Sequence, residues 1–491
     1  MNKMKQYLFL LLLMTGWCSS CYEDKGNYAY TPINEITVAG IEDTYEIMRW
    51  DTLKIPVTLK QTQQQDSKIL YSWFLNGKKI ADTKDLKYVV SEKAKSYLAR
   101  FQAIDPVNDS VKFFRDFKVT IHTAYSKGLM LLSDCGGVPE MAFMSTLNNP
   151  EHKIIRNIYQ LENGRPLVGK ALCIEQPEPW YYMGEVFVHT SASSHMLDPV
   201  LLKELAIFDE KSYTVPDPVY DMVFCRYSDQ TPEYGVGIGS NGKIYPKLGR
   251  QNRYSSPSLN PISVAGKPGV MTDYQLAPFC LCMKGTVLAY DNKSGKFMYF
   301  QCSWDIPSFD EDQFDIVRIS ATHIGLPFLA MAGNSTEGKF TSLFYDAVTQ
   351  EAKIAQEHSS NGRLRGRDSL VVLADHHLTS TSKMVINKAS DKLYYSDGGH
   401  KIYLLNLSDR NYDSQEFECN LPADAKITLL KIASDNLSIY VGAERTRAGK
   451  YTGDLFKIDV KTCKILEHYP EFGGTPVDLL EKVPIDYNDE L

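Results

Sequence analysis

Beyond residue 14 the 491-residue chain has no long apolar run, and hydrophobic and charged residues stand at 43% and 23%. That balance excludes a polytopic membrane protein and a wholly disordered chain. No long basic run is present and the formal net charge is -7, which excludes nucleic acid as a partner. The chain has no G-x-S-x-G, Walker A, HExxH or strand-to-helix GxGxxG motif. The hydrolases, nucleotide enzymes and zinc peptidases that carry local signatures therefore gain no support. Paired carboxylates gathered from distant segments leave no such signature, so a glycoside hydrolase stays open. Of the ten cysteines, Cys18 and Cys21 belong to the amino-terminal segment, and the other eight include no CxxC pair and no neighbouring histidine at zinc spacing. Neither a metal nor a cofactor is expected.

The amino terminus is different in kind. Lys3 and Lys5 precede the apolar run Tyr7 to Met14, which is too short for a permanent span. Residues 1–20 are expected to be a lipoprotein signal peptide. Ser19 and Ser20 are small enough for a signal peptidase to approach the backbone before Cys21, the expected lipidation site. Two acyl chains with a third on the amine exceed the roughly two signals that stable anchoring requires. Losing Lys3 and Lys5 leaves 51 of the 53 basic residues against 60 acidic ones, a net of -9. Residues 21–30 read as a tether, with Glu23 and Asp24 close behind the anchor.

Residues 31–125 show short runs of alternating polarity. Asp51 to Leu59, Leu70 to Leu75, Lys87 to Val90, Tyr97 to Asp105 and Arg115 to His122 have the period-2 pattern of half-buried strands. Asn76-Gly77 is a hairpin turn signal. Trp73 reads as a core plug of a β-sandwich. Tyr71, Trp73 and Gly77, followed by the strand Phe101 to Asp105, resemble PKD-type immunoglobulin-like domains. The segment Cys21 to Val38 resembles the start of PKD-like family lipoproteins of Bacteroidota, and the acidic pair after Cys21 resembles their surface-export signal. The resemblance implies an Ig/PKD-like sandwich, an outer-membrane location facing the cell exterior, and a place beside outer-membrane uptake systems. It implies no catalytic residue.

Residues 126–491 lack a long helical period and repeat a strand–turn–strand form. Examples are Gly128 to Ser133 with Glu140 to Ser145, and Lys392 to Ser396 with Lys401 to Leu405. Recurrence at roughly 45–55 residues is the spacing of β-propeller blades, and about seven are expected. The fold class is therefore all-β, a sandwich followed by a propeller. A pair of further sandwiches is the alternative.

The densest aromatic cluster is Trp180, Tyr181 and Tyr182, which as a loop offers stacking surfaces to a glycan or peptide, or else packs between blades. Asp305, Asp310, Glu311, Asp312 and Asp315 crowd one loop without the spacing of a calcium loop. His376 and His377 are adjacent, so on a strand they face opposite ways and do not share an ion. Cys135 falls in a glycine turn with no base nearby in sequence, and His189 reads as structural. The expected role is a non-catalytic binding or accessory module for glycan or peptide capture, anchored in outer-membrane lipid through Cys21 and working with an outer-membrane transporter complex. A propeller glycoside hydrolase or lyase, and a structural scaffold for a surface complex, are the alternatives.

Overall fold

The computed structural model describes residues 34–62, 69–106, 111–147, 149, 151–177, 184–212, 220–227, 234–248, 253–254, 262–263, 270–271, 273–283, 286–302, 314–319, 323–334, 339–360, 363–374, 376–408 and 412–484. The chain divides into two compact units. One comprises residues 1–45, 53–88 and 98–118, and the other residues 46–52, 89–97 and 119–491.

The amino-terminal strands form a five-stranded sheet in the order Thr44–Met48, Lys112–His122, Ser96–Ile104, Leu70–Leu75 and Lys78–Ala81. Two ladders accompany it, Ile36–Ala39 with Thr58–Gln61 and Thr52–Ile55 with Leu86–Val89. Alternation fixes which side is buried. Along Ser96–Ile104 the residues Tyr97, Ala99, Phe101 and Ala103 are buried, and those between them are not. Trp73 is fully buried, its ring centroid 4.6 Å from that of Phe101, and its indole N–H donates to the Thr83 carbonyl at 2.8 Å. Asn76 (φ 47) and Gly77 (φ 76) both lie in the left-handed region between the paired Leu75 and Lys78. That geometry is the two-residue turn expected of Asn-Gly.

The second unit holds seven four-stranded antiparallel sheets among the described residues. The first contains Gly128–Asp134 and Pro139–Ser145, and the second runs Ala171–Glu175, Val186–Thr190, Ser194–Leu197, Glu204–Phe208. The third to sixth begin at Met222–Tyr227, Leu276–Met283, Phe328–Asn334 and Met384–Asn387. The seventh runs Lys426–Ile432, Ser438–Glu444, Gly453–Asp459, Ile465–Gly473. The one α-helix among the described residues is Ile158–Asn163.

Period-2 alternation turns these sheets into a ring. In Gly128–Asp134, Met130 and Leu132 pack with Val186 and Val188 of the second sheet. Leu129 and Leu131, on the other face, pack with Leu429 and Leu455 of the seventh. Five further clusters join the second sheet to the third and so on to the seventh, so each sheet buries both faces against neighbours. The closing strand is Thr475–Lys482, which pairs antiparallel with Gly128–Asp134 and completes the first sheet. This pairing joins the last strand to the first sheet and leaves one short innermost strand edge per sheet. At the seam a Cβ on Gly474 would stand 2.1 Å from the Asp134 carbonyl oxygen, so only glycine fits. The innermost strands, the closing strand and the first strand of each other sheet, contact one another around the ring's centre.

Candidate functional site

Cys21 and the cluster Trp180, Tyr181 and Tyr182 lie outside the described residues, as do Asp305, Asp310, Glu311 and Asp312. His376 and His377 do face different neighbours. His376 Nε2 donates to the Gln350 carbonyl at 3.1 Å, and the His377 ring stacks on Tyr403 at 4.1 Å. Cys135 is buried, not held out on a turn, and burial pushes its thiol above the usual range while Ser133 pulls against it.

The polar side chains that do converge lie on the second sheet. Cys173 stands directly across the ladder from His189. Glu175 is two residues along the same strand and so projects from the same face as Cys173. Cys173 Sγ, a Glu175 oxygen and a His189 ring nitrogen all lie within 4.8 Å of one another. His189 and Cys173 are buried, and the Glu175 side chain is 16% exposed. His189 Nε2 is 3.0 Å from Glu175 Oε1, and Nδ1 is 2.6 Å from Ser194 Oγ. Ser194 Oγ is in turn 2.7 Å from the Tyr220 hydroxyl. The Cys173 thiol donates to the Cys225 carbonyl at 2.8 Å. Burial drives that thiol well above its usual pKa; the Glu175 charge adds to the shift and Arg226 opposes it.

An acid, a histidine and a serine in one hydrogen-bonded row have the order of a hydrolytic triad. Ser194 is fully buried and already engaged by Tyr220, so no acyl group reaches its oxygen. The row positions His189.

A second buried histidine lies next door. His195 Nδ1 is 2.7 Å from Glu204 Oε2, and Nε2 is 2.8 Å from Ser193 Oγ. Burial lowers its pKa below the usual value, so it is neutral near pH 7, donating from Nδ1 and accepting at Nε2. Burial works to raise the Glu204 pKa, but hydrogen bonds from Tyr159 and His195 and the Arg165 charge outweigh it and hold the group below the usual range. At the centre of the ring, Lys431 of the seventh sheet pairs with Asp478 of the closing strand at 3.1 Å. The other Asp478 oxygen accepts the Ile174 N–H of the second sheet at 3.1 Å, so one carboxylate ties three sheets together.

Residues 21–171 match the model of the PKD-like family. The match begins at Cys21 and covers the amino-terminal domain. Among curated proteins none matches the sequence. Among solved structures, the chain is similar to a protein from Lactobacillus plantarum, with 9% identity over 72% of this chain and 98% of the other, TM-score 0.48. It is also similar to the periplasmic gluconolactonase PpgL of Pseudomonas aeruginosa, with 11% identity over 72% and 98%, TM-score 0.47. The PKD-like match and the closed set of sheets together give an all-β chain with a PKD-like amino-terminal domain and a propeller-like ring.

Linear spacing does not reveal the cross-strand trio Cys173, Glu175 and His189. The signal that could have found it is Cys-x-Glu on one strand with a histidine at the facing rung of the next.

Proposed function

We propose that the chain is a surface lipoprotein of the outer membrane. It is anchored through acylated Cys21 and acts as a non-catalytic binding or accessory module for glycan or peptide capture beside an outer-membrane transporter. The anchoring reading is supported by the family match, whose first residue is the cysteine that signal cleavage would leave at the amino terminus. The observation that carries the non-catalytic reading is the commitment of the central carboxylates. Asp478 is held by Lys431 and by the Ile174 N–H, and Glu175 faces His189. A glycosidase needs two carboxyl groups facing a substrate across roughly 5–9.5 Å, and among the described residues these two central carboxylates are already paired with protein groups.

The test is purification of the tagged, full-length lipoprotein from membranes in mild detergent, followed by identification of co-purifying proteins and calorimetry with soluble oligosaccharides and peptides. The reading expects an outer-membrane transporter in the complex and saturable ligand binding without turnover. Release of reducing sugar or unsaturated product would replace it with the hydrolase or lyase reading. A stable complex that binds no ligand would replace it with the scaffold reading.

A further inference from the structure

We propose that Cys173, Glu175 and His189 form a zinc-type metal site on the second sheet of the ring. Residues two apart on one strand share a face, and a residue at the facing rung of the neighbouring strand projects from that same face. Cys173 and Glu175 meet the first condition, and His189, paired with Cys173, meets the second. Three donors of different type are thereby brought to one point by backbone pairing alone.

Their separation suits a small tetrahedral ion. Bonds of ~2.0–2.3 Å at tetrahedral angles place ligand atoms roughly 3.3–3.8 Å apart. The three donor atoms lie within 4.8 Å, with His189 Nε2 and Glu175 Oε1 already at 3.0 Å. Side-chain adjustments of about an ångström close the set around an ion. The donor chemistry selects among metals. A thiolate and an imidazole disfavour calcium and magnesium, which take oxygen ligands, and favour zinc or another late first-row ion. One thiolate and one carboxylate also neutralise a divalent charge, which lowers the cost of burying all three.

The surrounding shell has the form such a site needs. A metal-bound histidine is oriented by a hydrogen bond from its other ring nitrogen. His189 Nδ1 has that partner in Ser194, which is fixed in turn by Tyr220. On binding, the thiol proton leaves to solvent and Cys173 gives up its bond to the Cys225 carbonyl. His189 then carries its hydrogen on Nδ1, toward Ser194, and Nε2 turns its lone pair to the ion. We assign no protein group to the fourth position, which in a three-ligand zinc site belongs to water or an external ligand.

Cobalt(II) tests the site because a thiolate bound to it gives a charge-transfer band that no oxygen or nitrogen ligand reproduces. The metal-stripped, full-length mature protein is titrated with cobalt(II) and then with zinc(II). The proposal expects one equivalent bound, a thiolate-to-cobalt band in the near ultraviolet, intense tetrahedral visible bands, and displacement of cobalt by zinc. Cys173→Ser should lose the charge-transfer band while keeping the wild-type circular dichroism. Ser194→Ala, which removes a positioning residue and leaves the ligands, should weaken zinc binding by about 10–100-fold. A folded wild-type protein that shows no charge-transfer band overturns the proposal even if a variant fails to fold. A band that persists in a folded Cys173→Ser protein overturns it equally, because the metal would then sit on another thiol.

Discussion

Lys482 is 2% exposed at the end of the closing strand, and its ammonium group donates to the Ser126 carbonyl at 3.2 Å. Burial lowers its pKa from 10.5 to about 8, against a smaller opposing pull from the Asp198 charge. The sign follows from proton counting. Between about pH 8 and 10.5 the unfolded chain holds the proton and the folded chain has released it, so stability rises with pH across that window. Below about pH 8 both states are charged and the folded state bears the full cost. The gap between the two pKa values corresponds to about 3 kcal/mol. Lys482→Met removes that cost and one hydrogen bond worth about 1 kcal/mol. The variant should therefore be more stable than wild type by about 2 kcal/mol near pH 7, and the advantage should vanish by about pH 10. Urea unfolding of both proteins at the two pH values, followed by tyrosine fluorescence, measures the difference. Other groups titrate in this range, but they act on both proteins alike. An unchanged difference between the two pH values, or a variant less stable near pH 7, would show that burial of the Lys482 charge does not carry this cost.

Three further substitutions probe the frame. Trp73→Ala empties the centre of the amino-terminal domain and should cost it about 3–5 kcal/mol, read as a lowered thermal transition. Gly474→Ala forces a Cβ against the Asp134 carbonyl at the seam and should cost about 1–3 kcal/mol, with faster hydrogen exchange in Gly128–Asp134 and Thr475–Lys482. Asp454 is fully buried between Arg445 and Arg447, accepts from His468 at 2.9 Å and takes the Glu471 N–H at 2.9 Å. Asp454→Ala leaves those cations without their shared partner and should destabilise the ring by about 3 kcal/mol in denaturant unfolding.

The parts of the fold legible in the sequence are those set by local pattern. The Asn76-Gly77 turn, the pairing of Gly128–Asp134 with Pro139–Ser145, and that of Lys392–Ser396 with Ile402–Asn406 all follow from alternation and turn chemistry within a few residues. The closing strand was not legible. Thr475–Lys482 meets Gly128–Asp134 across more than 300 residues, and no local feature of either segment specifies that pairing. Cys135 departs from its local pattern for a related reason. The glycines around it signal a turn, but Gly474 at the seam packs over its sulfur and buries it. His189 read as structural because one histidine on a strand carries no signal alone. Its neighbours Cys173 and Glu175 belong to a different strand, and only the register unites them.

The proposed role requires a chain fixed in the outer membrane by acylated Cys21 and exposed to the medium. Protease treatment of intact cells, with immunodetection of the chain in outer-membrane fractions, decides between a surface-exposed and a shielded chain. Digestion in intact cells and release of unacylated Cys21→Ser protein from the membrane fraction are expected. Survival of the wild-type chain until the cells are lysed, or membrane retention of the Cys21→Ser protein, would overturn the proposed location.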